Sequence, residues 1–194
     1  MRSAESKKRR AKSNKGLSLI ELLVVIMLIS VILGYVAYNV NVVNGYRARK
    51  CKNILASQIA ELKVRTLSKA VKTGDVYMKV YKGKGSNAKN IYSQVFYKTT
   101  AGEEKEEPVL IGSRVGVFYG NSGSEKEILD EENTKGSNGL IITYNRANGS
   151  MVESPTSTAL STVTMIKVSA NEKVYKLELV PATGKVINKT DLNQ

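Results

Sequence analysis

Lys15-Gly16-Leu17-Ser18-Leu19-Ile20-Glu21-Leu22-Leu23-Val24-Val25-Ile26 is the stretch that decides the fold of this chain. Glu21 is the only charged residue in the apolar run from Leu17 to Val40. An Asp, Lys or Arg at the centre of a membrane-spanning helix costs about 2.5 to 3.5 kcal/mol, so an ionisable residue in such a segment indicates a function. Glu21 lies near one end of the run, where its cost is smaller, and we interpret it as a functional residue.

The run from Leu17 to Val40 is long enough to cross a membrane. As a helix it would measure roughly 36 Å, whereas the hydrocarbon core of a bilayer is about 30 Å thick. The residues before it carry seven basic side chains against Glu5, which predicts that residues 1–16 stay in the cytoplasm and that the C-terminal part faces outward. A secretory signal would have a shorter apolar core followed by small residues at a cleavage site. We therefore expect a retained, single-pass anchor.

These residues resemble the N-terminal signature of type IV prepilins and pseudopilins: a basic leader, Gly16, an apolar residue, a hydroxyl residue, two aliphatic residues and Glu21. The resemblance implies that a prepilin peptidase cuts after Gly16 and N-methylates Leu17, where the family usually has Phe. It also implies that Glu21 of one subunit neutralises the N-terminal amine of its neighbour and so sets the axial register of a helical filament. Opposite charges attract far more strongly in a low-dielectric setting than in water. The alternative is an ordinary signal anchor with one badly placed glutamate.

The expected fold class is α+β and pilin-like, with a long N-terminal helix packed on a mostly antiparallel C-terminal β-sheet. We divide the chain into a leader (1–16), a transmembrane and assembly helix (17–40), an amphipathic second half of that helix (41–72) and a β-rich head (73–194). One stripe of the second half is apolar and predicts the core-facing side: Leu55, Ile59, Leu62, Thr66 and Ala70, with Cys51 at its edge. Since Cys51 is the only cysteine, no internal disulfide is expected, and we interpret it as a small buried side chain. The turns around 39–45 contain poor helix formers and are expected to be the weakest of the helix. The resemblance implies that this stretch can melt when the subunit enters a filament.

Positive charge is concentrated in the leader and in the second half of the helix. The leader contributes +6 of the formal +13, and residues 46–72 carry eight basic residues against Glu61. Five of the basic residues are predicted to share one helix face: Arg47, Lys50, Arg65, Lys69 and Lys72. One hypothesis is a solvated or filament-facing surface that also meets anionic lipid headgroups. The other is a DNA-binding stripe, whose affinity would fall with salt through counterion release.

After 73–75 the pattern changes to short β runs separated by Gly, Asn and Ser. Seven strands are predicted: Val76–Tyr81, Ile91–Lys98, Arg114–Tyr119, Leu140–Tyr144, Thr164–Ser169, Lys173–Val180 and Lys185–Ile187. The last three are expected to form a meander with turns at 170–172 and 181–184, and a further hairpin is expected at 146–149, where Asn-Gly supplies positive φ angles. Residues 101–108 are interpreted as a charged turn. Residues 124–133 are interpreted as a solvated acidic loop, with a calcium site as the alternative, because the oxygen-ligand spacing of an ordered calcium loop is missing.

An enzymatic function is not expected. The chain has no His, and no Gly-x-Ser-x-Gly motif marks a nucleophile. We predict no catalytic residue, no metal and no cofactor, and we interpret Gly16, Leu17 and Glu21 as substrate and assembly elements. The segments 140–144, 148–149 and 176–186 loosely resemble H-type, FimT-like minor pseudopilins, some of which bind DNA.

Three roles stay open at this point: a pilus subunit, a pseudopilin of a type II-like secretion system, and a DNA-binding minor pilin of a competence system. The partners expected from the resemblance are the prepilin peptidase, other pilin or pseudopilin subunits, a membrane platform protein with its assembly ATPase, and in the third role DNA. The expected location is the cytoplasmic membrane and then a surface pilus or a pseudopilus in the periplasm or cell wall.

Overall fold

The computed structural model describes residues 18–121, 123–134, 139–152 and 163–189, without the side chains of 37–41. Its elements in chain order are α1 (Leu19–Lys69), β1 (Val76–Lys82), a short 3-10 turn (Gly85–Asn87), β2 (Asn90–Thr99), β3 (Gly102–Lys105), β4 (Val109–Ser113), β5 (Gly116–Asn121), β6 (Ser124–Glu127), β7 (Leu140–Thr143), β8 (Met165–Ala170), β9 (Lys173–Val180) and β10 (Lys185–Lys189). The chain separates into two compact units, Met1–Asn39 and Val40–Gln194.

Within the first unit, helix α1 contains one span that is long and apolar enough to cross a membrane. This span, Leu19–Val36, has a mean hydropathy of 2.8, and none of it is buried. An α-helix satisfies its backbone hydrogen bonds internally, as a segment in lipid must. Because this span is also apolar on all sides, its side chains suit a lipid surrounding. The predicted apolar anchor is therefore present as a helix from Leu19 onward.

The second unit contains two antiparallel sheets. Sheet A has the strand order β3-β2-β1-β7, with β4 also paired to β2, and sheet B has the order β10-β9-β8-β5-β6. The predicted α+β fold, with a long helix on antiparallel β structure, is confirmed. We expected one sheet, whereas the described residues form two. The chain passes from β4 in sheet A to β5 in sheet B at Arg114, whose φ is 57°.

The second half of α1 supplies the helical side of the hydrophobic core. Five residues of the predicted stripe, Cys51, Leu55, Ile59, Leu62 and Thr66, are 0% exposed, and Ala70 is 3% exposed. All of these except Thr66 pack with inward-facing side chains of both sheets in one cluster, which includes Met78, Val117 and Ile166. The 3.6-residue spacing of apolar side chains thus places one helix face over both sheets.

Helix α1 ends at Lys69, three residues before the predicted end at Lys72. The carboxylate of Asp75 accepts a hydrogen bond from the backbone N–H of Lys72, and the guanidinium of Arg146 donates to the Val71 carbonyl at 3.0 Å. Gly74 then adopts a φ of 92°, which suits glycine. These contacts satisfy backbone groups that another helical turn would otherwise use.

The seven predicted strands are all present within a few residues of their predicted bounds, except that Arg114 and Val115 precede β5 instead of belonging to it. Three strands were missed. Strands β3 and β6 lie in the segments that we interpreted as a charged turn and an acidic loop, and β4 follows Pro108. All side chains of β3 and β6 are exposed, so neither strand shows the alternation of apolar and polar residues that marks a half-buried strand.

The predicted C-terminal meander is confirmed, since β8 pairs with β9 and β9 with β10. Asn171 makes the first reversal with a φ of 52°, and Gly184 closes the second with a φ of 62°. The turn at 146–149 reverses the chain between Tyr144 and Met151, which form an antiparallel bridge. In that turn Gly149 has a positive φ of 67° but Asn148 does not, so only half of the predicted Asn-Gly geometry is found.

Candidate assembly segment and basic helix face

Glu21 belongs to a reciprocal hydrogen-bonded cap at the start of α1. The Ser18 backbone N–H donates to Glu21 Oε2 at 2.8 Å, and the Glu21 backbone N–H donates to Ser18 Oγ at 3.3 Å. This is a capping box, in which a hydroxyl residue and a glutamate three positions later satisfy each other's free N–H groups. The Ser-x-x-Glu spacing in the sequence is the signal for this cap, although we did not predict it. The carboxylate also lies at the helix end where the macrodipole favours negative charge.

Beyond the cap, the apolar side chains of the helix are exposed. Between Leu22 and Leu33 the large hydrophobic residues are exposed by 45% at Val25 up to 68% at Val31. The hydroxyl of Ser30 donates back to the Ile26 carbonyl at 2.8 Å, so this polar group is satisfied within the helix. Gly16 and Leu17, the predicted cleavage and methylation residues, lie outside the described residues.

Residues 11–37 match the family described as the prokaryotic N-terminal methylation motif. The matched range includes Gly16, Leu17 and the capped Glu21 at the head of the exposed apolar helix. The N-terminal segment therefore contains this methylation motif, which supports its resemblance to type IV prepilins and pseudopilins. No curated protein and no solved structure matches the chain. The FimT-like resemblance of the C-terminal part therefore stays a prediction.

The predicted basic face of this pilin-like chain does not consist of five free cations. Arg65 forms ion pairs with Glu61, at 2.7 Å, and with Glu106. Its guanidinium also donates to the Tyr97 hydroxyl at 2.9 Å, and that hydroxyl donates to Glu106 at 2.7 Å. Helix α1 is thereby tied to β2 and to the segment after β3, and the charge of Arg65 is neutralised.

This network shifts the ionisation of its members in opposite directions. The hydrogen bond with Glu106, followed by that with Glu61, raises the pKa of Arg65. The hydrogen bond from Arg65 is the main cause of the lowered pKa of Glu106, and burial raises the pKa of Tyr97. The ionised pair is therefore the stable form at neutral pH.

The other predicted basic residues lie in different settings. Lys50, Lys69 and Lys72 are exposed and Arg47 is partly exposed. The Lys69 ammonium lies 5.7 Å from the centre of the Tyr97 ring, and Lys72 lies beyond the end of α1. Lys52, which we did not single out, is only 6% exposed and lies over the Tyr175 ring at 5.6 Å.

Cross-strand pairing creates a row of lysines that the sequence did not reveal. On sheet B, Lys167 of β8 is directly opposite Lys176 of β9, which is opposite Lys189 of β10. Phe118 of β5 continues the row next to Lys167, at 6.0 Å from its ammonium. Like charges directly opposite one another are destabilising, and ion pairs of Lys167 with Glu125 and of Lys189 with Glu178 offset part of this repulsion. The row is a candidate site for an anionic partner, with Lys176 at its centre.

The carboxylates of 124–133 are held by lysines and by an amide. Glu125 pairs with Lys167 at 3.4 Å, Glu127 pairs with Lys82, and Glu132 pairs with Lys84. Both carboxylate oxygens of Asp130 accept hydrogen bonds from Asn133. Within the described ranges no group of three or more His, Cys, Asp or Glu residues is placed to hold a metal ion.

The thiol of Cys51 in helix α1 is unreactive, because burial raises its pKa to about 12.

Proposed function

We propose that this protein is a structural subunit which the prepilin peptidase processes between Gly16 and Leu17 and which then assembles into a type IV pilus or a pseudopilus. The observation that carries the proposal is a single carboxylate, Glu21, at the head of an exposed apolar helix inside the N-terminal methylation motif. No residue of the segment Leu19–Val36 is buried within the chain, which supports burial in a membrane or against other subunits.

Cleavage would create an amine on Leu17. This is the residue before Ser18, whose backbone N–H donates a hydrogen bond to Glu21. In a low-dielectric surrounding an unpaired ammonium is costly, and a carboxylate a few ångströms away offsets that cost. The capping box uses Oε2 of Glu21 for the Ser18 N–H, and a carboxylate offers about four lone-pair sites. Glu21 therefore has acceptor capacity left for the amine of a neighbouring subunit, which supports the assembly role.

The test compares Glu21→Gln with Glu21→Val in cells that make filaments. Glutamine keeps a side-chain acceptor for the capping box but removes the charge, whereas valine removes both. We expect membrane levels near normal for both variants and loss of incorporation into filaments for both. Normal incorporation of Glu21→Gln, with failure of Glu21→Val, would show that Glu21 acts only as a helix cap.

Processing is tested separately at Gly16. We expect mass spectrometry of the wild-type chain to show an N-terminus at Leu17 with one added methyl group. A Gly16→Leu variant should keep residues 1–16, and a conservative Lys15→Arg control should be processed normally. An intact leader on wild-type protein, in cells with an active prepilin peptidase, would contradict the proposal.

We place the anchor in the cytoplasmic membrane with residues 1–16 inside and the head outside. Assembly by a platform protein and its ATPase, and a place in a pilus or a secretion pseudopilus, belong to the same proposal. In a Gly16→Leu background, which should keep residues 1–16, a cysteine placed at the exposed Lys185 should react with a membrane-impermeant maleimide on intact cells or spheroplasts, and one at Ser3 should not. Labelling of Ser3→Cys alone would reverse the orientation.

DNA binding by a minor subunit is the second candidate function. The cross-strand row supports it through Lys176, which stands between two other lysines in the strand pairs. Arg65 on the helix face lies in ion pairs with Glu61 and Glu106, and Lys167 and Lys189 of the row lie in ion pairs with Glu125 and Glu178. We expect the detergent-solubilised chain to shift a DNA fragment at low salt, and Lys176→Gln to weaken that shift more than Lys69→Gln. No shift at low salt would end this candidate.

A further inference from the structure

We propose that sheet B continues from one copy of this chain to the next, through pairing of strand β10 of one copy with strand β6 of its neighbour. This inference rests on the proposed assembly function and names the contact between the heads. It is drawn from the free edges of the sheet, their charges and their strand directions.

Strands β10 and β6 are the two edges of sheet B. In the described part of the chain, β10 pairs with β9 and β6 pairs with β5, and no other strand pairs with either. All four side chains of β6 are exposed, as are four of the five in β10. An edge strand presents free N–H and C=O groups that another strand can bind.

The charges of the two edges are complementary on one face of the sheet. The pairings Glu127 to Phe118, Phe118 to Lys167, Lys167 to Lys176 and Lys176 to Lys189 place Glu127 and Lys189 in one row. Because side chains alternate with a period of two, Glu125 shares this face with Glu127, and Lys185 and Ile187 share it with Lys189. Lys126 points to the opposite face.

Strand directions fix the type of pairing. Four antiparallel pairings separate β10 from β6, so the two edge strands run in the same direction. Copies with a common orientation, as in a polar filament, would pair these strands in parallel. Such a contact joins two different surfaces of the chain. Each copy can therefore pair through β10 with one neighbour and through β6 with another, and each end of the row keeps one free edge strand for the next copy.

Two registers satisfy the charges. One places Glu127 beside Lys189 and Glu125 beside Ile187, and the other places Glu125 beside Lys185 and Glu127 beside Ile187. A shift of one residue would move both glutamates to the face of Val186 and Asn188, away from the lysines. Within one copy Glu125 pairs with Lys167, Glu127 with Lys82 and Lys189 with Glu178, so the contact would give these side chains a second charge partner.

Cysteine cross-linking in assembled filaments tests the contact in the full-length chain. Ile187→Cys is combined with Glu125→Cys in one variant and with Glu127→Cys in another, and sheared filaments are oxidised. We expect one of the two pairs to give a ladder of disulfide-linked multimers on a non-reducing gel. The matched control combines Ile187→Cys with Lys126→Cys, which faces the other side, and should give no ladder. The native Cys51 is 0% exposed and is the background control.

Absence of a ladder from both test pairs in filaments, or an equal ladder from the Lys126→Cys control, would overturn the inference. In the first case the lysines of β10 would only protect the edge against pairing. Filaments that form normally, and that require Glu21, would leave the proposed function standing. A failure of wild-type chains to be processed or assembled would instead contradict the proposed function itself.

Charge reversal supplies a second measurement that does not depend on the cysteines. Lys185→Glu with Lys189→Glu should reduce the yield of sheared filaments while membrane levels stay unchanged. Adding Glu125→Lys and Glu127→Lys to the same chain should restore the yield. Because Glu125 and Glu127 also pair with Lys167 and Lys82 within one copy, the stability of both variants is compared by urea unfolding. A fourfold variant that is as stable as the twofold variant but assembles no better would overturn the contact between β10 and β6.

Discussion

The two halves of helix α1 differ in what surrounds them, although they belong to one continuous helix. Between Leu19 and Val36 no residue is buried, whereas five residues of the second half are 0% exposed: Ala48, Cys51, Leu55, Ile59 and Leu62. The first half is apolar on all sides, and the second is apolar on one stripe and charged elsewhere. The comparison teaches that the same backbone geometry serves two environments, and that side-chain pattern selects between them.

Replacing a core residue of the second half should have the largest effect on the stability of the head. We expect Leu62→Ala to lower the free energy of unfolding by about 2 to 5 kcal/mol, because it leaves a cavity under both sheets. Leu67 lies on the same helix and is 44% exposed, so Leu67→Ala should change stability by about 0.5 kcal/mol or less. Urea denaturation of the detergent-solubilised chain measures both. Equal losses would remove the distinction between the two helix faces.

A close approach of strand β4 to the second half of α1 gives the next largest effect. A Cβ at Gly112 would lie 2.8 Å from Cys51 Sγ and 2.8 Å from Val115 Cγ2, so Gly112→Ala should cost about 1 to 3 kcal/mol. The control is Gly45→Ala, whose Cβ would lie 3.5 Å from Lys173 Cγ. Since alanine favours a helix interior over glycine by about 0.5 to 1 kcal/mol, the control should stabilise the chain. Thermal unfolding measures both, and a stabilising Gly112→Ala would contradict this packing.

The ion pair between Arg65 and Glu106 should stabilise the head at neutral pH and lose this contribution in acid. The Arg65 hydrogen bond lowers the pKa of Glu106, so the stability from this carboxylate is present above its unfolded-state pKa and is lost as the pH falls through the lower folded-state value. Since the Glu106 side chain is 41% exposed, solvent screening weakens the pair, and we expect Glu106→Gln to cost about 0.5 to 1 kcal/mol at neutral pH and less as the pH falls below the ordinary pKa of a glutamate. Urea midpoints across this range measure the difference. A constant difference at all pH values would show that the loss is not electrostatic.

Removing the hydroxyl of the capping box should have the smallest effect. Ser18→Ala removes the acceptor for the Glu21 N–H and should destabilise the first helical turn by about 0.5 to 1 kcal/mol. Because the Glu21 carboxylate remains, filament incorporation should stay near the wild-type level. Quantifying the variant in sheared filaments beside Glu21→Gln separates capping from charge pairing. Loss of incorporation equal to that of Glu21→Gln would show that the cap itself is required for assembly.

The helix and its core stripe were predictable because their signals are local and periodic. Leu55, Ile59 and Leu62 recur at helical spacing, and all three are buried. Strands β3 and β6 were not predictable in this way, since their side chains are exposed and charged. They are strands because β2 and β5 offer hydrogen-bonding edges beside them. Such long-range pairing leaves no period-two pattern when neither face is buried.

The candidate site divides in the same manner. Glu21 and its apolar surroundings were identified from neighbouring residues, because a charge in a membrane-length segment is recognisable without tertiary structure. The neutralisation of Arg65 was not, since Glu106 lies 41 positions along the chain and meets it only through folding. The row of Lys167, Lys176 and Lys189 likewise depends on the registers of two strand pairs.

The amino-acid order by itself determined the apolar anchor, the methylation motif, the buried helix stripe and the C-terminal meander, because each depends on residues close together in the chain. Tertiary structure decided which basic side chains are neutralised, where sheet A gives way to sheet B, and which charges stand at the two edges of sheet B. These features depend on contacts between residues far apart in sequence, whose geometry is set by the shared core and by strand register.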